Sequence, residues 1–336
     1  MNRVGNGVSS DRRQEQAFLL AERLRGAGFL SRAAAGYRGV LERPAGGDPD
    51  LWLESCLGLV SCLRSLGETA EARRFWELGR KTAAAKADRE IQERMDLEGA
   101  LIDRAAGRYR ISLLRLGRHL ARFRKRKDWA GAGFALWAIG GALRFCGRLE
   151  DSRRAFRESL RLARRASDAA GVAYALFGMG GVTRIQGRLA EARLHYAAAL
   201  QAVEGSGDIF ALAYAHCGLA NVLRQRGDVR EAERHYRRAH GLYRRLEDPV
   251  DLAYVDWGLG QIYLRQGKLP AAEKSLRLAL AAFACGGETR GVVLCETSLA
   301  GLLHALGRTA EAEGLFARAV RCAHRAGIHT HLELFT

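Results

Sequence analysis

The sequence predicts an all-α protein, a solenoid of eight helix–turn–helix repeats. Three observations carry this. Glycine stands at 67, 107, 147, 187, 227, 267 and 307, forty residues apart each time, with Gly28 one residue off the same grid. Small and bulky residues recur at fixed distances from that glycine. Only four prolines occur in 336 residues, so little interrupts helix formation. A fixed period of this length is the mark of a repeat array, in which each unit buries its apolar face against the next.

Each recurring glycine, written G below, follows an apolar-periodic segment, where a helix C-terminus favours a residue free to take positive φ. The segment after it opens with acid at Glu71, Asp151, Glu191, Glu231 and Glu311, which suits the positive end of a helix dipole. Position G+5 is small throughout: Ala33, Ala72, Ser112, Ser152, Ala192, Ala232, Ala272 and Ala312. Position G+9 is bulky: Tyr37, Trp76, Leu116, Phe156, Tyr196, Tyr236, Leu276 and Phe316. The two lie one turn apart on one face, so the small residue admits a close helix and the bulky one fills the hollow. Pro270 falls in a first helical turn, where proline is tolerated.

The arrangement G-x-x-x-E-A-x-x-x-Y, seen most fully at Gly187 to Tyr196 and Gly227 to Tyr236, resembles the second half of the tetratricopeptide (TPR) repeat. Upstream, the small-residue position of that family matches Gly140, Gly180, Ala220, Gly260 and Ala300. The resemblance covers nearly the whole chain and implies a right-handed superhelix. There are departures. The period is 40 instead of 34, which looks like the extended repeats of kinesin light chains and of several bacterial peptide-binding regulators. Leu136, Leu176, His216 and Asp256 replace the family's first-helix Trp. Residues 1–10 read as a disordered N-terminus, 11–330 as one repeat domain with a loop at 43–50, and 331–336 as a tail. The last repeat, without a full capping helix, is expected to rest on a partner or on another copy.

Composition bounds the function. Net charge is +17 and the isoelectric point is about 10.2. Arginine supplies 48 of the 54 basic residues, a skew that GC-rich codon usage also produces. No secretory signal opens the chain. The longest uncharged runs, 129–143 and 169–183, are too short to span a bilayer, so no membrane insertion is expected. The seven cysteines include no CxxC pair. Cys56, Cys62, Cys146, Cys217, Cys295 and Cys322 sit among apolar residues and read as small buried hydrophobes in a reducing, cytoplasmic compartment.

No catalytic constellation emerges. There is no P-loop, nucleophile elbow or HExxH. Gly178-Met-Gly180-Gly-Val-Thr183 begins like a dinucleotide fingerprint but ends in Thr inside a predicted helix, so its glycines read as close packing. Cys322, His324, His329 and His331 read as a solvated terminal cluster, with no metal and no cofactor.

Within the first helix of each repeat, positions G−13, G−10, G−6 and G−3 share a face. G−3 reads Arg25, Arg64, Arg104, Arg144, Arg184 and Arg224, then Leu264 and His304. Composition alone would place Arg at about one of these eight positions. G−10 includes Trp137, Phe177 and Trp257; G−13 includes Phe134, Tyr174, Tyr214 and Tyr254; G−6 includes Gly141, Gly181, Asn221 and Gln261. In the TPR family this face lines the concave groove. The resemblance therefore implies a partner-binding groove formed by Arg104, Arg144, Arg184, Arg224, Trp137, Tyr174, Phe177, Tyr214, Asn221, Tyr254, Trp257 and Gln261. Arg grips carboxylates in a planar fork, and aromatics give rigid contact area. Two structural readings stand beside this one: Arg at a helix end also complements the dipole, and an aromatic stripe at helical spacing is also what a core requires. The expected function is a non-catalytic protein-interaction scaffold or adaptor that binds an acidic peptide segment, with self-association left open. The alternatives are a basic RNA-binding helical-repeat protein and a peptide-sensing regulator. The basic run Arg122, Arg124, Lys125, Arg126 and Lys127 speaks for the former.

Overall fold

The computed structural model describes residues 5–42 and 48–326, with side chains from Arg12 onward. Residues 1–4, most of the expected 43–50 loop, the 331–336 tail, and His329 and His331 of the terminal cluster lie outside the described residues. Sixteen helices and no strand are present among the described residues. The first helices of the repeats are α1 (Gly5–Gly26), α3 (Pro49–Ser65), α5 (Arg89–Ala105), α7 (Trp129–Phe145), α9 (Ala169–Ile185), α11 (Ile209–Arg226), α13 (Pro249–Arg265) and α15 (Thr289–Ala305). The second helices are α2 (Leu30–Leu41), α4 (Thr69–Ala85), α6 (Tyr109–Arg126), α8 (Leu149–Arg165), α10 (Leu189–Val203), α12 (Val229–Leu246), α14 (Leu269–Cys285) and α16 (Thr309–Arg325). The all-α solenoid read from the sequence is what the chain forms. No helix among the described residues is long and apolar enough to cross a membrane.

All eight recurring glycines have positive φ. In the turn after α3, the Gly67 N–H bonds the Arg64 carbonyl and the Glu68 N–H reaches back to the Leu63 carbonyl. The same pair of bonds recurs at Gly147, Gly187, Gly227, Gly267 and Gly307. It satisfies the last orphan carbonyls of each first helix. Each first helix from α3 to α13 is opened by an aspartate: Asp48, Asp88, Asp128, Asp168, Asp208 and Asp248. The last five accept the N–H three residues on, at 2.8–3.0 Å, which is N-capping. The turns before these caps place Ala87, Lys127, Ser167 and Glu247 at positive φ without glycine.

The two packing columns behave as the pattern requires. G+5 residues from Ala33 to Ala272 are buried. The G+9 ring of one repeat lies on a glycine of the next first helix. A Cβ added to Gly178 would sit 2.3 Å from the Phe156 ring, one on Gly218 2.1 Å from Tyr196, and one on Gly258 2.4 Å from Tyr236. Only the last G+9 residue, Phe316, is exposed, at 51%; no first helix follows it among the described residues. Cys56, Cys62 and Cys295 are buried as read from the sequence, and Cys217 and Cys322 are half-buried. Cys146 is exposed, against expectation, because G−1 lies in the turn and not in the helix interface.

The helices gather into two compact units, with the boundary between Ala142 and Leu143 inside α7. In the first, α1 touches α3 and α3 touches α5, around a core that includes Tyr37, Leu53, Cys56, Leu63, Trp76 and Met95. In the second, α9 touches α11, α11 touches α13 and α13 touches α15. Its first helices therefore form one continuous layer.

Candidate functional site

In the first unit, the Arg104 guanidinium lies over the Trp137 ring at 4.8 Å. Its Nη1 occupies the space left by Gly141, where a Cβ would come within 2.9 Å. Trp137 is half-buried and packs against the exposed ring of Phe134 at 5.5 Å. Arg64 takes a different route, donating to Glu98 at 2.9 Å. The G−3 arginine thus reaches from one first helix to the next.

The second unit repeats the device. Arg144 Nη1 sits where a Gly181 Cβ would be, 2.6 Å away. Arg224 is almost fully buried, at 3% exposure. It lies over Trp257 at 4.9 Å, and its Nε donates to the Tyr236 hydroxyl at 3.2 Å. That hydroxyl in turn donates to Asn221 Oδ1 at 2.9 Å, and Asn221 Nδ2 donates to the Cys217 carbonyl at 3.0 Å. Gln261 and Trp257 both donate to Ser298 Oγ, at 2.6 and 3.0 Å. Phe177 is buried between Tyr174 and Tyr214, its ring edge-on to each. A stacked guanidinium contributes about 0.5–2 kcal/mol depending on desolvation. Arg224, Gln261, Trp257 and Phe177 are therefore built into the packing between consecutive repeats, and Asn221 into the packing of α11 on α12.

The rest of the face is more open. Arg144, Arg184, Tyr174, Tyr214 and Tyr254 are half-buried. The Tyr174 hydroxyl bonds Asp208, and burial pushes its pKa up. Tyr254 donates to Glu288 at 2.8 Å, and its ring meets Phe283 edge-on. Burial pushes Tyr196, behind this face, up to about 12, while the charges of Arg184 and Arg144 pull the other way.

Two charged residues complete the face, and the column reading missed both. Arg290, at the start of α15, lies over Tyr254 at 5.8 Å. Burial lowers its pKa; the charges of Arg144 and Arg184 lower it further, while Tyr254 and Glu288 pull the other way. Asp251 lies one turn before Tyr254. Burial, and then the like charges of Asp248 and Glu288, hold its carboxyl well above the usual carboxylate range. Asp251 makes no ion pair among the described residues. The signal was present in the sequence. Asp251 stands at G−16, where the neighbouring repeats have Gly131, Gly171, Ala211 and Gly291, and a charge in a column of small residues is out of place. No cluster of three or more His, Cys, Asp or Glu residues among those described could hold a metal.

Two family models match the chain: the MalT-like TPR region over residues 125–277 and the tetratricopeptide repeat over 251–325. No curated protein matches it by sequence. Several solved structures share the fold at low identity. The Rap conjugation gene regulator of the plasmid pLS20, in complex with the Phr* peptide, is 16% identical with a TM-score of 0.67, covering 87% of this chain and 82% of its own. A Rap protein complexed with Competence and Sporulation Factor is 12% identical with a TM-score of 0.63, covering 94% and 98%. The apo form of the quorum sensor NprR from B. thuringiensis is 14% identical, also with a TM-score of 0.63, covering 92% and 87%. With its forty-residue grid, its paired antiparallel helices and these two matches, the chain is a tetratricopeptide-repeat protein.

Proposed function

We propose that the chain is a non-catalytic peptide-binding protein, and that the first-helix face of its second unit takes a carboxylate-bearing segment of a partner. One observation carries the reading: on this face Arg290 lies over Tyr254 and Arg144 against Gly181, with Arg184, Tyr174 and Tyr214 half-buried on α9 and α11. Like charges held together repel, and an anionic group between them relieves that repulsion. Charge-assisted bonds from arginine to a carboxylate are about twice as strong as neutral ones. Asp251 refines the ligand. The residue apposed to it must be neutral or basic, because a second carboxylate there adds to the repulsion from Asp248 and Glu288. An acidic end beside an uncharged or basic one fits the face better than a uniformly acidic segment. Two of the similar structures are complexes with a peptide or a named factor, which is in keeping with this reading.

The test is a peptide-array screen with the full chain, followed by titration of the best binders. Arg144→Gln with Arg290→Gln should weaken carboxylate-bearing peptides at least tenfold and leave the helical content unchanged. Asp251→Asn should widen the choice at one peptide position. If the double variant binds the same peptides with the same affinity, the face is not the site.

A further inference from the structure

A second charged surface lies on the outside of the repeats, away from the groove. α12 carries Arg230, Arg234, Arg237, Arg238, Arg244 and Arg245. All six are exposed. Spaced by 4, 3, 1, 6 and 1 residues, they fall on one face of the helix. The opposite face, Ala232, Tyr236, Ala239, Tyr243 and Leu246, is buried at 4% exposure or less. Arg237 pairs with Glu233 on its own helix. The side chains of the other five form no hydrogen bond or ion pair among the described residues. This sets α12 apart from the other basic second helices. On α6, Arg122 and Arg126 both reach Glu93. On α8, Arg153, Arg154 and Arg161 are each paired with an acid one turn away. The run 122–127, the most basic stretch of the sequence, is thus partly neutralised in the fold, while the α12 stripe is not.

We propose that the exposed face of α12 binds the phosphate backbone of nucleic acid. The kind of polyanion follows from what the stripe lacks. A membrane-surface helix needs large apolar residues on the face it inserts, and the large apolar side chains of α12 are buried except Val229 and Leu242, which are only half-exposed. A protein interface draws its affinity from a few desolvated aromatic or apolar anchors, and the exposed stripe has none. A row of unpaired guanidinium groups without apolar anchors suits a ligand whose main feature is regularly spaced anionic charge. Guanidinium matches phosphate with a planar fork. The stripe carries neither exposed aromatics to stack bases nor amides to read their edges, and its arginines suit the repeating phosphates, so sequence-independent binding is expected. It stands apart from the groove reading and does not depend on it.

The test uses the full chain, a fluorescein-labelled 20-nucleotide RNA of mixed sequence and a DNA duplex of the same length. Anisotropy is followed from 50 to 200 mM salt. Arg230→Gln/Arg234→Gln/Arg238→Gln/Arg245→Gln should cut RNA affinity at 50 mM salt at least tenfold. Each lost contact removes about 0.7 from the slope of log affinity against log salt for single strands. The fall in affinity across that salt range should therefore shrink by about 50-fold. Arg234→Gln/Arg238→Gln gives half the change in slope and serves if the quadruple variant loses its helical spectrum. Arg122→Gln/Arg126→Gln and Arg144→Gln/Arg290→Gln should bind RNA as the wild type does. The proposal is overturned if the α12 variants bind RNA unchanged, if the wild type binds neither probe at 50 mM salt, or if polyglutamate competes as well as RNA at equal charge.

Discussion

Replacing Gly218 with alanine tests the packing rule at its tightest point. The Tyr196 ring lies between Gly180 of α9 and Gly218 of α11. A Cβ on Gly218 would stand 2.1, 2.4 and 2.7 Å from three ring carbons, where carbon atoms prefer about 3.5–4.0 Å. The room for retreat is small, because the ring already packs on Gly180 at its other edge, where an added Cβ would stand 2.7–3.0 Å from it. Overpacking of this kind costs about 1–3 kcal/mol, and so little room for retreat places Gly218→Ala near the top of that range. Alanine returns about 1 kcal/mol of helix propensity. The net expectation is a loss of about 2 kcal/mol, or about 4–8 °C in melting temperature for a unit of this size. Gly301 is the control, since it is helical and has nothing within 4 Å of its Cβ position. Gly301→Ala should gain about 0.5–1 kcal/mol. Melting followed at 222 nm separates the two. Tyr196→Leu in the Gly218→Ala background should recover part of the loss, as coupling between residues in contact requires. Gly218→Ala melting at or above the wild type, like Gly301→Ala, would refute the ring-on-glycine account.

Other outcomes follow from the same structure. Ala232→Leu inserts a large side chain at a fully buried position and should cost about 1–3 kcal/mol; unchanged melting would mean the register of the second helices is misassigned. Ala87 sits at φ 56° with no glycine to ease it, so Ala87→Gly should raise stability by about 0.5–1 kcal/mol, read by denaturant midpoint. His216 and His235 share one hydrogen bond, Nδ1 to Nδ1 at 2.9 Å. Burial, then the His235 and Arg238 charges, lower His216 to about 4, and burial lowers His235 too. In the unfolded chain histidine takes up its proton near 6.5. The neutral pair therefore supports the fold above pH 6.5, and that support is lost as the pH falls toward 4. An unscreened shift would remove about 2 kcal/mol between pH 7 and 5, which half-exposure reduces to about 1. His216→Phe should flatten this part of the stability–pH curve, and an equally steep curve in the variant would count against the pair.

The repeat grid was legible because turn chemistry and packing chemistry are local. A positive-φ glycine, a small G+5 and a bulky G+9 each mark the sequence directly. The aspartate caps were equally regular at 48, 88, 128, 168, 208 and 248 but lay outside the columns counted from the glycine. The face of the first helices was legible in direction only. Its periodicity picked out one side of each helix, but Gln261 spends its amide on the next repeat, Asn221 spends its own on α11 and α12, and Arg224 bonds Tyr236 and stacks on Trp257. Whether an arginine faces a ligand or a tryptophan depends on the next repeat's G−6 and G−10 residues, and so on contacts some forty residues away in sequence. Arg290 and Asp251 escaped because each breaks a column instead of extending one.

The paired turns also make the array editable in whole steps. Each glycine turn and each aspartate cap is closed by hydrogen bonds within a few residues. Removing residues 168–207 would join Ser167 to Asp208 and so recreate the Ser–Asp junction that α9 has now. The Phe156 ring, which rests on Gly178, would meet Gly218 at the same position of the next first helix. The excised chain keeps its caps, its turns and its ring-on-glycine contacts, and its first-helix layer loses one helix. The length of the first-helix layer is thus set by how many forty-residue blocks the chain contains, independently of how well any one block folds.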